Sequence, residues 1–224
     1  MLADRRKDID EVFQVGDLYD FEAVSHFAKG TIYEDGKRFQ KELDKSAAAL
    51  TDIHDAWPFL KVRIRGNHED RLDAYLAGTA KGLAGLRIFD FDALTNAVEH
   101  GWVTEDQPYE LAPRTHAVHG LTLRSRSGYT AHAHLDRMSG NVVHGHTHRA
   151  GLVYRTTSFP DETRWGMEIG CLMDRRKAQY LEAGIADWQL AFGALWIDGK
   201  DVQPELIHVQ PNGSFIFDGK RYTP

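Results

Sequence analysis

Cysteine is almost absent from this chain. Cys171 stands alone among 224 residues, which excludes an internal disulfide framework and fits a reducing compartment. Long apolar runs are missing too. None approaches the ~20 residues that span a bilayer, so no membrane partner is expected. The opening residues, Met1-Leu2-Ala3-Asp4-Arg5-Arg6-Lys7, carry charge with no apolar segment behind them and do not read as a secretory signal. The expected location is therefore cytoplasmic. A basic excess is lacking: 27 Lys and Arg face 33 Asp and Glu, for a formal charge of −6. That argues against a broad basic face for duplex nucleic acid. It leaves open a phosphate substrate held locally by metal ions, whose own charge dominates such a site. There is no internal repeat, low-complexity tract or clear linker, so the chain reads as a single domain over 1–224.

What the chain does have is histidine, concentrated in Val142-Val143-His144-Gly145-His146-Thr147-His148. A short apolar run, consistent with a buried strand, ends at a glycine and a histidine cluster. In extended backbone His146 and His148 would point to one side and Thr147 to the other. Neutral imidazole is a common metal ligand, and Gly145 is expected to supply the sharp turn. A surface His-rich loop would read the same way from this stretch alone.

Comparable layouts occur earlier. Glu11 to Val15 reads as a strand closed by Gly16-Asp17-Leu18-Tyr19-Asp20. By itself Asp17 reads first as a turn or N-cap aspartate. Residues 37 to 56 show apolar side chains at three- and four-residue spacing (Phe39, Leu43, Ala47, Leu50, Ile53), which predicts a core-facing helix stopped near Pro58. His54 reads as solvated or capping. Leu60 to Arg65 alternates apolar and basic residues, predicting a strand with one buried face. It runs into Gly66-Asn67-His68-Glu69-Asp70-Arg71, a plain turn if taken alone, followed by a short helix. Residues 78 to 114 suggest a loop, a short helix and a covering segment. Thr115 to Gly120 is a further strand ending in His119-Gly120, with His116 on the opposite face and structural. His132 and His134 cannot share a helical face, and His144 is expected to be structural. Beyond His148, strand character recurs at Leu152–Thr157, Gly166–Ile169, Gln189–Ile197, Glu205–Val209 and Ser214–Phe217, with turns at Asp198-Gly199, Pro211-Asn212-Gly213 and Asp218-Gly219. These predict antiparallel strands forming a second layer. Asp174-Arg175-Arg176-Lys177 reads as a solvated turn.

Ligand types gathered at several strand ends make a metal site. Carboxylate, amide and imidazole donors without thiolate suit Mn²⁺, Fe²⁺ or Zn²⁺. In this arrangement the chain resembles the calcineurin-like metallophosphoesterase family, through Gly16-Asp17-Leu18-Tyr19-Asp20, Gly66-Asn67-His68-Glu69, His119-Gly120 and Gly145-His146-Thr147-His148, in that order. Arg71, Gly128-Tyr129-Thr130-Ala131, Arg149 and Gly170-Cys171-Leu172 further resemble a bacterial and phage-type branch of it. The resemblance implies an α/β fold, a four-layer α/β/β/α sandwich. It implies that Asp17 bridges two metals, that Asn67, His119 and His146 complete one site, and that His148 serves the other. His68 would be the general acid, oriented by Asp20, acting with a metal-activated hydroxide on a phosphate ester. Mn²⁺ is the expected ion, with Fe²⁺, Zn²⁺ or Ni²⁺ as alternatives. Arg149 is a candidate substrate contact, and a phosphodiester, nucleotide or nucleic acid is the expected substrate.

The family's earlier Asp-x-His motif has no counterpart before Asp17. Asp8 and Asp10 precede the first strand, at the wrong end for the site. The expectation is one firmly held ion, with the second site reduced to Asp17 and His148. Three explanations stand: an N-terminally shortened enzyme missing its first strand, a natural form with one firm metal site, or a catalytically silent scaffold on the same fold. An unpaired sheet edge would also favour a homo-oligomer.

Overall fold

In the computed structural model residues 9–26, 38–57, 61–174 and 186–224 are described. Leu60, Pro58, Lys37, Asp8 and the Arg175–Lys177 part of the expected charged turn lie outside them. The fold is mixed α/β, and the chain divides into two compact units, residues 2–106 and 107–224.

The N-terminal unit is built on a three-stranded parallel sheet of β1 (Val12–Val15), β2 (Lys61–Ile64) and β3 (Trp102–Glu105), with β2 in the middle. Helix α1 (Phe39–Ala56) follows β1, and α2 (Asp70–Gly78) follows β2. The predicted helix face is the one that packs: Leu43 and Leu50 are buried, and Phe39 and Ile53 pack against a core of Tyr19, Phe21, Leu72, Leu76 and Trp102. A one-turn helix α3 (Phe91–Leu94) is capped by the Asp90 carboxylate, which accepts from the Asp92 and Ala93 N–H groups.

The expected half-buried face of β2 is corrected here. All four of its residues are buried. As the central strand of a parallel sheet it is covered on both sides, so its cations must find partners inside. Arg63 donates to Thr104, Asp92 and Thr95 and lies over the Phe91 ring. Lys61 donates to the Trp57 carbonyl and meets His54 Nδ1 at 3.3 Å, and burial lowers its pKa. His54 is therefore half-buried and engaged rather than solvated. The covering segment expected over 78–114 contains two strands the sequence reading missed, β3 and β4 (Tyr109–Ala112).

In the C-terminal unit a five-stranded sheet runs β4, β5 (Thr115–Val118), β6 (Asn141–His144), β8 (Asp161–Ile169), β7 (Ala150–Ser158). β5, β6 and β8 are parallel, and β4 and β7 are antiparallel edges. The expected second layer thus begins later than predicted, because β7 and β8 extend the sheet that carries β5 and β6. Alternation along β6 explains the two faces. Val142 packs with Val118 and Leu135 of α4 (Tyr129–Leu135). Val143 packs with Trp165 and Met167 against Leu195, Val202 and Leu206. Those last three belong to the hairpin β9 (Ala191–Asp198) and β10 (Asp201–His208). A short hairpin of β11 (Phe215–Phe217) and β12 (Lys220–Tyr222) turns at Asp218-Gly219, both with positive φ as a two-residue hairpin turn requires.

Candidate functional site

Parallel strands place their following loops at one sheet end, and this is where the candidate residues of each unit fall. In the N-terminal unit these are the loops after β1 and β2. Asp17 sits two residues past β1, with Gly16 at φ 83° and Asp17 itself at φ 59°. Its Oδ1 accepts from the His68 backbone N–H at 3.0 Å. The two loops are tied by Glu69, a buried carboxylate. Its Oε2 accepts from Asp17 N (2.9 Å) and Gly66 N (2.8 Å), and its Oε1 from Tyr19 N (3.0 Å). Glu69 closes the Gly66-Asn67-His68-Glu69 motif, and nothing local in the sequence marks it as a brace. The signal was there only as a carboxylate beside an Asn-His pair.

His68 turns Nδ1 to Asp20 Oδ1 at 2.9 Å, leaving Nε2 3.9 Å from Asp17 Oδ2. Arg71 Nη1 donates to Asp20 Oδ1 (2.8 Å) and to the Asp20 carbonyl (2.7 Å). Burial alone would raise the Asp20 pKa. The hydrogen bond and charge of His68, with Arg71 beside it, outweigh that and hold it below the ordinary carboxylate value. The result is an aspartate-oriented imidazole whose second nitrogen faces the candidate bridging carboxylate. Asn67 is exposed on the same loop.

In the C-terminal unit the corresponding loops follow β5 and β6. His119 Nε2 and His146 Nδ1 are 3.0 Å apart, with ring centroids at 4.8 Å and nearly perpendicular planes. Two ligands each ~2.0–2.1 Å from one ion and roughly 90–110° apart would be separated by about 2.8–3.4 Å, so the pair fits one divalent ion. Gly120 is needed for this approach: a Cβ there would meet His146 Cβ at 2.7 Å. His119 N donates to Gln107 Oε1 at 2.7 Å, and Gly145 N to the His119 carbonyl at 3.0 Å.

The turn at 145–148 differs from expectation. The strand ends at His144, and the left-handed residues are His146 (φ 68°) and His148 (φ 59°) rather than Gly145. The same-side argument for an extended His-Thr-His therefore does not apply. Thr147 does not point idly away. Its hydroxyl donates to buried Glu168, whose other oxygen accepts from Gly128 N at 2.6 Å. Burial raises the Glu168 pKa against the lowering effect of these two donors. Glu168 was not found from sequence, being 21 residues from Thr147 on another strand. The His148 ring packs edge-on against Trp188 at 4.3 Å. Arg149 is engaged locally: Nη1 donates to the Arg124 carbonyl at 2.9 Å, and Nε lies 3.4 Å from Asp187.

Two further histidines support the loop. His134 Nδ1 donates to the Thr130 carbonyl, and its Nε2 accepts from Leu121 N at 3.0 Å, which fixes the tautomer. It stacks on His144 at 4.6 Å. Burial first, then His134, depresses the His144 pKa to about 3, so it is neutral and holds its proton on Nδ1 toward the Gly145 carbonyl. His132 is exposed and His134 buried, on different faces as expected of residues two apart on a helix.

No known family model matches the chain. It is 32% identical over 222 residues to the Gene 54 protein of Mycobacterium phage D29, covering 94% of this chain and 85% of that protein. It is 31% identical over 223 residues to the Gene 54 protein of Mycobacterium phage L5, covering 94% and 86%.

Proposed function

We propose that this chain, which belongs to the family of the mycobacteriophage Gene 54 proteins, is a metal-dependent phosphoester hydrolase acting on phosphodiesters or nucleotides. The observation that carries the reading is backbone strain at the candidate ligands. Asp17, His146 and His148 all hold left-handed conformations, each at a cost of roughly 1 kcal/mol for a side chain with a Cβ. Asp17 and the His146–His148 turn are each held by a buried carboxylate, Glu69 and Glu168. Strain retained at three donor residues, with a dedicated brace for each loop, supports a site selected for its chemistry.

In this reading, as the family resemblance implies, Asp17, Asn67, His119 and His146 would hold one divalent ion, Mn²⁺ or a borderline ion such as Fe²⁺, Zn²⁺ or Ni²⁺. His148 with Asp17 serves a second. The donor set fits: one carboxylate, one amide and imidazoles, with no thiolate. A bound ion of this kind supplies Lewis acidity and lowers the pKa of water. The protein's own contribution is proton handling. Asp20 and Arg71 fix the His68 ring through Nδ1, which aims Nε2–H at a departing alkoxide. The calcineurin-like metallophosphoesterase resemblance and its four-layer α/β/β/α sandwich are part of the same proposal.

The test combines metal analysis with turnover. Elemental analysis should find at least one divalent metal per chain, and Asp17→Ala and His146→Ala should each lower that count. Unchanged stoichiometry in both variants would sink the assignment. With Mn²⁺, bis-p-nitrophenyl phosphate should be hydrolysed. His68→Ala should cut kcat about 10²- to 10⁴-fold with metal content unchanged. Metal-loaded protein inert toward both bis-p-nitrophenyl and p-nitrophenyl phosphate would favour a silent binding protein.

A further inference from the structure

The formal charge of −6 hides a strong segregation. Between residues 111 and 160 there are six arginines and seven histidines but one acid, Asp136, while the other 174 residues carry 21 Lys and Arg against 32 Asp and Glu. Asp136 is occupied by Arg155 and faces His132 at 3.9 Å. Local field, rather than net charge, governs what approaches a surface.

Within this stretch the loop 121–129 follows directly from the His119-Gly120 turn. Its backbone is anchored at several points. Leu121 N donates to buried His134, Arg124 N to Thr130 Oγ1 at 3.1 Å, and Gly128 N to Glu168. The Arg124 carbonyl accepts from Arg149, beside His148, and Ser127 Oγ donates to Gln189. With the backbone turned inward, Arg124, Arg126 and Tyr129 are left exposed, with Arg124 Nη1 donating to Thr122 Oγ1 and the Leu123 carbonyl within the loop. Arg124 and Arg126 are exposed and, among the described residues, make no ion pair with an acid. Tyr129 is 53% exposed, with the Arg126 guanidinium 5.8 Å from its ring centroid. Leu121 and Leu123 are more than half exposed.

We propose that this loop is a binding platform for single-stranded nucleic acid. Arg124 and Arg126 contact backbone phosphates, and Tyr129 with Arg126 stacks a base. The inference deepens the phosphoesterase reading and rests on it for the purpose of the platform, since the strand would be delivered to residues beginning at His119. Charge complementarity favours a polyanion. The exposed ring with a cation beside it is the element a stacking platform needs and a simple phosphate site does not. The patch as described is one loop, which favours a single strand over a duplex.

The test is anisotropy with a fluorescein-labelled oligothymidylate about 15 nucleotides long. It uses the full chain as purified, in the cold, with oligonucleotide length checked on a gel. Wild type should bind with an affinity that falls as salt rises. Removing Arg124 and Arg126 together (Arg124→Ala, Arg126→Ala) should weaken binding about tenfold or more and flatten the log–log salt slope by about 0.7 for each phosphate no longer neutralised. Tyr129→Ala should weaken binding by roughly tenfold, and Tyr129→Phe should restore it. All these side chains are exposed, so far-UV circular dichroism should be unchanged. Wild type that fails to bind, or variants that bind as wild type does, would overturn the inference even if the protein hydrolyses model diesters. Arginine-dependent binding to phosphatidylserine vesicles without oligonucleotide binding would also overturn it. Oligonucleotide binding abolished in these variants supports it even if no hydrolysis is found, which separates its failure from that of the phosphoesterase reading.

Discussion

The two units solve one problem with different chemistry. Each ends parallel strands in loops where candidate ligand residues sit at positive φ, and each braces its loop with a buried glutamate. Glu69 takes three backbone N–H donors, from Gly66, Asp17 and Tyr19. Glu168 takes one backbone N–H and one hydroxyl. The N-terminal loops carry an aspartate–histidine–arginine chain in which Asp20 is half exposed and His68 and Arg71 are largely covered. The C-terminal loops carry imidazoles packed on one another, His119 against His146 and His134 against His144, and burial keeps His144 neutral. The contrast teaches that packing sets an imidazole's surroundings: His68 is held by a carboxylate that an arginine also holds, and His144 by a neighbouring ring in a fully buried position.

The contrast is most sharply broken by substituting the braces. In Glu69→Gln the amide nitrogen must face a backbone N–H, because both oxygens of the glutamate accept from N–H groups. Stability should fall by about 2–3 kcal/mol, the cost of an unsatisfied buried donor. In Glu168→Gln the amide oxygen can keep Gly128 N–H while the amide nitrogen donates to Thr147 Oγ1, which reverses its hydroxyl. The loss there should be under about 1 kcal/mol. Urea denaturation midpoints measure both, and equal losses would remove the distinction. Next in size is Gly120→Ala. Its Cβ cannot share space with His146 Cβ, so stability should drop about 1–3 kcal/mol and metal content should fall. Normal metal loading in that variant would show that the His119–His146 approach is not needed.

The smallest effect concerns pH. Asp20 has its folded pKa lowered, so its stabilisation is present above the unfolded value, about 4, and is lost as pH falls through the lowered folded value. Its side chain is half exposed, so the contribution is on the order of 0.5 kcal/mol after screening. Asp20→Asn should flatten stability against pH in that acid window, and an unaltered profile would remove Asp20 from the account.

Much of this was legible in the sequence because it is local. Helix α1, the strands before Gly16, Gly66 and His144, and the turn at Asp218-Gly219 follow from periodicity and turn chemistry over a few residues. The candidate site was legible as a repeated layout of strand, glycine and ligand. What failed was inference from alternation in β2, where Lys61 and Arg63 read as an outward face. A strand's two faces are equivalent in sequence, and only its position between β1 and β3 buries both.

The sequence by itself determined which chemistry-bearing residues end which strands, since strand and turn propensities act over neighbours. The tertiary structure alone decided which residues of those turns take left-handed backbone. It also decided that Glu69, 52 residues from Asp17, and Glu168, on another strand from Thr147, brace them. Strain and buried hydrogen bonds are long-range properties: they exist only once distant segments have packed and excluded water.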